Sequence, residues 1–524
     1  MTATVRDAMF DVMRRYDMTT VFGNPGSTEI PLLADFPDDL RFVLGLHEAA
    51  VVGVASGYAI ARGTPSLVNL HTAAGLGNAV NAIACARDNR VPLVVTVGQQ
   101  DRRQLALAPF LTGRDLERLA GDYPVWTTTP AVPADVPGAV VRAWHEARVR
   151  RGPALVVVPM GDWEEPCDGV RAAPDALRHD PIAAEAPLAE LQALLDGAER
   201  PALVVGAGLD TEEGWRGVVA LAERLGCPVW QDTFSSRAAF PQDHPQFAGH
   251  LPWRRRELRV LFAEHDVVVA LGTPAFRLYL YDDGPIVPAT CRVAVVTDDL
   301  EEAARSNAEL AVVASPAEVC ARLAGAVAGR SPSCTPLARS APPDPGGPLT
   351  ADQVLFALGE RLPVDAILVE EAPSHRPELL DRIAIRRPGG FLAVANGALG
   401  FGLASAIGLR LASQDRPVVA VLGDGSSTYT VQALWTAATY GAGVVFVVLS
   451  NGRYAVMDKL AADHSGGAGA WPAFPTLELA TVAAGFGCPA RVVRTHDELL
   501  EALDDAIPGA VARSTPLLLD VRVS

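Results

Sequence analysis

The stretch "VLGDGSSTYTVQALW", residues 421–435, reads as the end of a buried strand, a tight turn and the start of a helix. Asp424 stands between Gly423 and Gly425, and glycines allow both a tight turn and the close approach of a ligand to the backbone. A helix that begins beside such a turn offers free N–H groups to a phosphate. The same residues also fit an ordinary loop, so this stretch alone leaves a phosphate or metal site and a plain turn both open.

The next strand along the chain ends with a second candidate metal ligand. "VVFVVLSNGRYAV", residues 444–456, places Asn451 27 positions after Asp424. That spacing fits a strand–helix–strand crossover, which returns the chain to the same edge of a parallel sheet. Carboxylate and amide oxygens suit Mg²⁺, and the backbone carbonyl of Arg453 could be a third ligand. The pair predicts a site for a magnesium-bound diphosphate at this edge, with Ser426 in the same turn.

The composition is typical of a large globular protein and argues against several other classes of protein. The chain has 524 residues, of which 49% are hydrophobic and 20% charged, and a net charge of −17, which argues against a nucleic-acid binder. Its apolar runs are shorter than the roughly 20 residues of a membrane span, and its N-terminus lacks the features of a signal peptide. Seven cysteines without a C-x-x-C pair fit free thiols in a reducing compartment, and there is no H-E-x-x-H cluster to indicate zinc. We therefore expect a cytoplasmic protein with no nucleic-acid or membrane partner.

Short β-branched runs alternate with Ala- and Leu-rich helical stretches along the chain, which indicates an α/β fold with parallel sheets covered on both faces. The strands predicted from these runs lie at 66–70, 92–98, 154–159, 202–208, 267–272, 292–297, 366–371, 418–425, 444–452 and 517–523. Residues 168–187 and 329–348 are rich in Pro and other loop-forming residues instead, and we interpret them as linkers. They divide the chain into three doubly wound parallel-sheet domains, residues 1–167, 188–328 and 349–524.

Three strand ends near the N-terminus carry further candidate site residues. "TVFGNPGSTEIPLL" (20–33), "LGLHEAAVVGVASGYA" (44–59) and "LVNLHTAAGLGNAVNAI" (67–83) place Ser27, Glu48 and His71 along one edge, with a glycine-rich turn expected after His71. Such edges bind ligands in open α/β sheets. Each residue also has a plainer interpretation: a helix N-cap for Ser27, a first-turn acid favoured by the helix dipole for Glu48, and a capping or core histidine for His71.

Six motifs spread over the chain resemble those of the thiamine diphosphate-dependent 2-oxo-acid decarboxylases, and most closely the benzoylformate decarboxylases. They are "VFGNPGSTE", "NLHTAAGLGNA", "VTVGQQ", "ALGFGLASAIGLRLA", "GDGSSTYTVQALWTAA" and "NGRYA", in that family's order. The resemblance implies pyrimidine-binding, middle and diphosphate-binding domains, with thiamine diphosphate and Mg²⁺ as cofactors. It implies decarboxylation of an aromatic or branched 2-oxo acid to an aldehyde. It also implies a homodimer as the minimum unit, assembled as a dimer of dimers, which is a homotetramer.

The resemblance assigns roles to individual residues. Glu48 would hydrogen-bond N1′ of the aminopyrimidine, Ser27 would contact the substrate carboxylate, and His71 would transfer protons. Leu399 would hold the cofactor in its bent shape. The implied cofactor contacts are Glu48, Pro373, Ser374, Leu399, Gly423, Asp424, Gly425, Ser426, Tyr429, Asn451 and Tyr454, and the implied metal ligands are Asp424, Asn451 and the carbonyl of Arg453. The implied substrate pocket consists of Ser27, His71, Phe110, Leu111, Tyr279, Val456, Met457 and Leu460.

The chain departs from the family's pattern in the middle domain, where Tyr279 stands in place of a second active-site histidine. A phenol, with a pKa of about 10, is a poorer proton shuttle at neutral pH but can still donate a hydrogen bond. Slower protonation makes carboligation to a 2-hydroxy ketone the alternative reaction. His375 and His464 could each supply the missing proton, although an inert role fits both residues as well.

Further departures concern the pocket and a second cofactor. Pro373 replaces a hydroxyl residue and Leu460 replaces an aromatic one, which leaves the identity of the substrate open. The turn at Gly206 and Gly208 is similar to a dinucleotide-binding turn, but Thr211 leaves the G-x-G-x-x-G pattern incomplete, so we do not expect a flavin. A non-catalytic protein with the same fold is a third alternative, and the presence of the Glu48, Asp424 and Asn451 side chains argues against it.

Overall fold

The computed structural model describes residues 3–170, 174, 176–179 and 181–524, and it contains three six-stranded parallel sheets. The strands of the N-terminal sheet are β1 (Thr20–Asn24), β2 (Arg41–Leu44), β3 (Ser66–Leu70), β4 (Leu93–Gln99), β5 (Trp126–Thr128) and β6 (Pro153–Pro159). Their order is β2-β1-β3-β4-β6-β5, so the three strands that precede Ser27, Glu48 and His71 are neighbours. The helices around this sheet are α1 (Val5–Arg15), α2 (Ile30–Leu33), α3 (Glu48–Arg62), α4 (Thr72–Asp88), α5 (Leu116–Leu119) and α6 (Val136–Arg150).

In the middle sheet all strands are parallel, and their order, β12-β11-β10-β7-β8-β9, runs outward from the centre in both directions. Its strands are β7 (Pro201–Val205), β8 (Val229–Gln231), β9 (Phe247–His250), β10 (Val267–Leu271), β11 (Arg292–Thr297) and β12 (Leu310–Val313). The accompanying helices are α7 (Glu185–Gly197), α8 (Glu212–Leu225), α9 (Arg255–Phe262), α10 (Leu300–Arg305) and α11 (Pro316–Ala326).

The C-terminal sheet has the order β14-β13-β15-β16-β18-β17, which places the strands before Asp424 and Asn451 side by side. Its strands are β13 (Ile367–Glu371), β14 (Phe391–Ala393), β15 (Val418–Gly423), β16 (Val445–Ser450), β17 (Ala490–Val493) and β18 (Leu517–Arg522). Its helices are α12 (Ala351–Gly359), α13 (Arg376–Arg382), α14 (Gly402–Ala412), α15 (Asp424–Ser427), α16 (Ala433–Tyr440), α17 (Ala455–Ser465), α18 (Leu479–Gly485) and α19 (His496–Ala506).

The predicted α/β class, with three doubly wound parallel sheets, is confirmed, and each of the ten predicted strands is present. The buried strands were predictable because both of their faces are covered and their sequences are continuous apolar runs. The unpredicted strands β5, β8, β9, β12, β14 and β17 have three or four residues each, mostly at sheet edges, and are too short to show such a run. No helix within the described residues is both long enough and apolar enough to cross a bilayer.

The two predicted linkers differ in how far the structure describes them. Part of 168–187 lies outside the described residues, and α7 already begins at Glu185, within that range. Residues 329–348 contain no helix or strand, and Arg339 in this segment donates to the carbonyls of Gln242 in the middle domain and Leu380 in the C-terminal domain. The second linker therefore lies along both domains that it connects. The exact limits of the three domains stay a prediction.

Helices α3 and α14 join the N-terminal and C-terminal domains through backbone contacts that only glycine permits. A Cβ atom at Gly57 would lie 1.9 Å from the carbonyl oxygen of Ser405, and one at Gly408 would lie 1.8 Å from that of Val54. At Gly53 the nearest atom would be the Ala404 Cβ, at 2.6 Å. Because α3 begins at Glu48 and α14 follows Leu399, this contact fixes two candidate site residues relative to each other.

We expect Gly408→Ala to lower the stability of the protein by about 1–3 kcal/mol, because the added methyl group has no space against the Val54 carbonyl. The midpoint of thermal unfolding, followed by circular dichroism, measures this loss. Gly325→Ala is the matched control, since Gly325 lies in α11 and an added Cβ there would meet no atom within 4 Å. Equal midpoints for the two variants would show that the α3–α14 contact tolerates a side chain.

Candidate active site

Glu48 is a buried acid whose two carboxylate oxygens are each held by an amide. It is the first residue of α3 and is 7% exposed. Its Oε1 accepts a hydrogen bond from Asn24 Nδ2 at 3.1 Å, and its Oε2 accepts one from Asn78 Nδ2 at 2.9 Å. A first-turn acid that served only the helix dipole would need no such partners. Sequence reasoning missed both asparagines, although each lies within a motif that drew attention to this edge.

The prediction of a glycine-rich turn after His71 is wrong, because β3 leads through His71 directly into α4. Gly75 lies inside that helix, where an added Cβ would sit 3.4 Å from the Leu70 backbone and 3.5 Å from Glu48 Cγ. Both distances are ordinary van der Waals contacts, so Gly75 packs next to Glu48 and a methyl group would fit there. His71 is the N-cap residue of α4, but its side chain makes no capping hydrogen bond.

The His71 side chain instead contacts the turn that follows β1. Its Nδ1 lies 2.9 Å from Glu29 Oε2 and 2.9 Å from Thr28 Oγ1. Ser27 precedes these residues in a one-turn 3-10 helix, Ser27–Glu29, whose N-cap is Gly26, so the alternative of a Ser27 N-cap is wrong. Ser27 itself is exposed. Thus the structure brings His71 to the Ser27 turn and places the two residues on one edge.

Asp424 connects the ends of the adjacent strands β15 and β16. Its Oδ1 accepts a hydrogen bond from the Gly425 N–H at 2.7 Å, and its Oδ2 accepts one from the Gly452 N–H at 2.7 Å. Burial raises the pKa of this carboxyl, while these N–H donors act in the opposite direction. Among the described residues no arginine or lysine pairs with it. Asn451 lies in the same turn, where its Oδ1 accepts from the Arg453 N–H at 3.1 Å.

The helix after Asp424 differs from the single helix expected from the sequence. The chain forms the one-turn α15, a turn over residues 428–432 and then α16 from Ala433. Ser427 donates to the Gly423 carbonyl and Thr428 to the Gly425 carbonyl, and such local bonds compete with a continuous helix. Ser426 donates to the Glu371 carbonyl at 2.7 Å, so its hydroxyl is engaged in the turn and its N–H is the group left to face a phosphate.

The other predicted cofactor residues of the C-terminal domain gather around this turn. A Cβ at Gly425 would lie 2.5 Å from the Tyr454 ring, and Ser374 Oγ accepts from the Val456 N–H at 3.1 Å. Tyr429 packs its Cβ against Gly400 and leaves half of its side chain exposed. Pro373 is exposed beside Ser374, in the one-turn helix Pro373–His375.

Glu371, which the sequence did not identify, supports the loop that carries Leu399. Its carboxylate accepts hydrogen bonds from the N–H groups of Gly400, Phe401 and Gly402 at 2.6–2.9 Å. Burial raises the pKa of Glu371 to about 7, and these three donors oppose that rise. On the other side, Asn81 Nδ2 donates to the Leu399 carbonyl at 3.1 Å. Leu399 is therefore held from both the N-terminal and the C-terminal domain.

Besides Ser27 and His71, the predicted substrate-pocket residues lie on three separate parts of the chain. Val456, Met457 and Leu460 belong to α17, and Arg254 of the middle domain pairs with Asp463 of that helix at 3.5 Å. Tyr279 is 57% exposed, and its ring packs edge-on against Trp253, the residue before Arg254, with centroids 5.6 Å apart. Phe110 is 88% exposed and Leu111 is also exposed. Within one chain these residues form parts of an open surface.

The two alternative histidines and the dinucleotide-like turn of the middle domain lie in different surroundings. His375 Nε2 is buried with no hydrogen-bond partner among the described residues, and burial lowers the pKa of this imidazole while Asp424 and Glu378 oppose that change. His464 is exposed near the end of α17. At the middle sheet, a Cβ at Gly208 would lie 2.8 Å from Gly272 Cα, so this turn is packed against the chain itself.

Comparisons with known proteins agree with this arrangement. Residues 3–117 match the N-terminal TPP binding domain of thiamine pyrophosphate enzymes, residues 188–323 their central domain, and residues 375–521 their C-terminal TPP binding domain. The chain is 36% identical to benzoylformate decarboxylase from Pseudomonas aeruginosa over an alignment of 532 residues. This alignment covers 99% of this chain and 98% of that protein.

Comparison with solved structures also finds thiamine diphosphate-dependent enzymes. The thiamine diphosphate-dependent 4-hydroxybenzoylformate decarboxylase of Rhodococcus jostii has a TM-score of 0.94 and 34% identity, covering 100% of this chain and 99% of the other. Benzoylformate decarboxylase from Polynucleobacter necessarius has a TM-score of 0.95 and 32% identity, covering 99% and 98%. The chain therefore belongs to the thiamine pyrophosphate enzyme family.

The residues present fit the cofactor that defines this family. Asp424, Asn451 and the Arg453 carbonyl offer the oxygen ligands that a diphosphate-bound magnesium ion requires. The first turn of α15 adds N–H groups next to Asp424. The Glu48 carboxylate, held by Asn24 and Asn78, is an acceptor aimed by two fixed donors. These side chains would hold thiamine diphosphate from its two ends, with Glu48 at one end and Asp424 and Asn451 at the other.

Proposed function

We propose that the protein is a Mg²⁺- and thiamine diphosphate-dependent decarboxylase that converts an aromatic or branched 2-oxo acid to an aldehyde and carbon dioxide. The observation that carries this proposal is the buried Glu48 carboxylate, which two amides orient and no described cation neutralises. The similarity to benzoylformate decarboxylases over nearly the whole chain supports the choice of reaction.

Each candidate residue has a defined task in this proposal. Asp424, Asn451 and the Arg453 carbonyl hold the magnesium ion, and Glu48 hydrogen-bonds N1′ of the aminopyrimidine. When bound, thiamine diphosphate supplies an electron sink for the pair of electrons released as carbon dioxide leaves. Ser27 binds the substrate carboxylate and His71 moves a proton at its Nε2, because its Nδ1 is already engaged.

The apolar face of α17 supports the substrate class. Val456, Met457 and Leu460 are uncharged, and the hydrogen bond from the Val456 N–H to Ser374 Oγ supports a pocket wall next to the proposed cofactor contacts. An aromatic or branched side chain next to the 2-oxo group would bury apolar surface there. Leu460 and Pro373 depart from the family's pattern, so we propose a benzoylformate-like acid as the substrate class and leave the exact acid to the screen below.

We further propose that the active unit is at least a homodimer, assembled as a homotetramer. No hydrogen bond or ion pair between described residues of one chain joins the Glu48 group to the Asp424 turn. Phe110 and Leu107 are more than 80% exposed, which is unusual for large apolar side chains and fits a surface that a second copy covers.

The proposal is tested by a screen of 2-oxo acids with thiamine diphosphate and Mg²⁺, with carbon dioxide and organic products measured together. We expect arylglyoxylates and branched 2-oxo acids to give carbon dioxide and aldehyde in equal amounts, since His71 can supply the proton that takes the place of the lost carboxylate. Straight-chain acids serve as the comparison. If the loaded protein consumed no 2-oxo acid, the third alternative, a non-catalytic protein, would replace this proposal.

Carboligation is the second candidate function, and Tyr279 is the observation that favours it. The ring stands on the middle-domain surface against Trp253, and the adjacent Arg254 pairs with Asp463 of α17, so Tyr279 lies in the part of the middle domain that contacts this helix. In the same screen, 2-hydroxy ketones as the main product would support this function. Tyr279→His should then shift the products toward aldehyde, and unchanged product ratios would argue against Tyr279 as the substitute for the missing histidine.

A further inference from the structure

Glu29 is a buried acid that the proposed reaction does not use. It ends the one-turn helix after β1, and its side chain is completely enclosed, with 0% exposure. Burying a carboxylate is costly unless hydrogen bonds or a charged partner compensate. The partners of Glu29 therefore indicate what this residue does.

All the hydrogen-bond partners of this carboxylate lie around His71. Glu29 Oε2 accepts from the Gly26 N–H at 2.8 Å and lies 2.9 Å from His71 Nδ1. Glu29 Oε1 accepts from the Thr28 hydroxyl at 2.5 Å. That hydroxyl has a single hydrogen, so the Thr28 oxygen faces His71 Nδ1 as an acceptor at 2.9 Å. Two acceptors thus surround Nδ1, and this nitrogen must carry a proton.

The ring and the carboxylate are each packed closely against a glycine. A Cβ at Gly26 would lie 2.5 Å from the His71 ring. A Cβ at Gly98, at the end of β4, would lie 2.0 Å from Glu29 Oε1 and 2.2 Å from Thr28 Oγ1. The two glycines therefore shape one slot for the imidazole and another for the acid.

We propose that Glu29 is the positioning residue of His71: its carboxylate holds the Nδ1–H tautomer and thereby presents Nε2 as the atom that exchanges a proton with the substrate. This inference rests on the proposed function, in which His71 transfers that proton. Thr28 assists by closing the hydrogen-bond network on Oε1. Neither residue touches the substrate.

The alternative is a purely structural role, in which Glu29 folds the Gly26 turn and presents Ser27. This role predicts different kinetics. Loss of the turn would weaken substrate binding and act independently of His71. Loss of positioning would lower kcat with little change in KM, and it would have no effect once His71 is absent. A double-mutant cycle separates these two roles.

The cycle compares Glu29→Gln, His71→Ala and the double variant in the enzyme loaded with thiamine diphosphate and Mg²⁺, using the acid found in the screen. We expect kcat to fall about 100-fold in Glu29→Gln and about 100- to 10,000-fold in His71→Ala. KM should change by less than about threefold in Glu29→Gln. The double variant should be no slower than His71→Ala.

Asp162→Asn is the matched control, because Asp162 is a buried acid of the same domain that pairs with Arg102. It should keep kcat within about threefold while lowering the thermal midpoint. Multiplying effects in the double variant, or a full rate in Glu29→Gln, would overturn the positioning role. A full rate in His71→Ala would instead overturn the proton-transfer role that the proposed function gives to His71.

A second measurement requires no change at Glu29. In enzyme labelled with ¹⁵N-histidine, the His71 signals are assigned by their loss in His71→Ala and observed at a pH above which they no longer change. We expect a protonated Nδ1 and an unprotonated Nε2. A protonated Nε2 would contradict the proposal even if Glu29→Gln did not fold.

Discussion

Glu48→Gln should abolish turnover while the protein still binds thiamine diphosphate. The variant keeps the shape of the side chain but removes the charge that we propose acts on N1′ of the aminopyrimidine. We expect kcat to fall by at least about 1,000-fold. The diphosphate contacts lie in another domain, so the affinity measured by calorimetry should change little. Steady-state rates with the best 2-oxo acid provide the comparison.

The structure also supplies the control for this variant. Glutamine would turn an NH₂ group toward the NH₂ of Asn24 or Asn78, so one hydrogen bond is lost at a cost of about 1 kcal/mol in stability. Glu117→Gln tests the alternative helix-dipole role, because Glu117 is also a first-turn acid, in α5. Activity of Glu48→Gln within a few-fold of the wild type would sink the proposed role in cofactor activation.

Asp424→Ala should lose the Mg²⁺-dependent binding of thiamine diphosphate. This change removes the carboxylate that bridges the ends of β15 and β16 as well as a proposed metal ligand. We expect the cofactor affinity, measured by calorimetry with and without Mg²⁺, to fall at least about 100-fold. The wild type should lose affinity to a similar extent when Mg²⁺ is chelated.

Two further variants sharpen this experiment. Asp424→Asn removes the charge but keeps the size of the side chain and one acceptor oxygen. The turn should therefore be less disturbed in this variant than in Asp424→Ala. Asp505→Ala removes an exposed acid in α19 and should leave the affinity unchanged. An unaltered affinity in Asp424→Ala, with the same Mg²⁺ dependence, would refute the proposed metal site.

The sequence was sufficient to predict the features that follow from short sequence patterns and from their spacing along the chain. Asp424 and Asn451 were paired because their spacing equals one strand–helix–strand crossover, and β15 and β16 are indeed neighbours. The order β2-β1-β3 likewise confirms that the strands before Ser27, Glu48 and His71 share one edge. Long buried strands were equally predictable. The roles assigned to these side chains stay predictions.

Residues that act through distant partners were not predictable. Glu29 meets a histidine 42 positions away, and Asn78 meets Glu48 30 positions away. Nothing in the local pattern separates Glu29 from an ordinary acid before a helix, or Glu371 from the polar end of a strand. The break between α15 and α16 depends on side-chain hydrogen bonds to the backbone, which helix periodicity does not report.

The glycine contacts between α3 and α14 have a kinetic consequence. They bring the backbones of the N-terminal and C-terminal domains of one chain into direct contact. If Glu48 of one subunit faces the Asp424 turn of the other, a cofactor bound between them would contact both subunits, and the boundary between subunits would be easier to open than the α3–α14 contact within a chain. The lifetime of the loaded enzyme after dilution would then depend on the lifetime of the dimer.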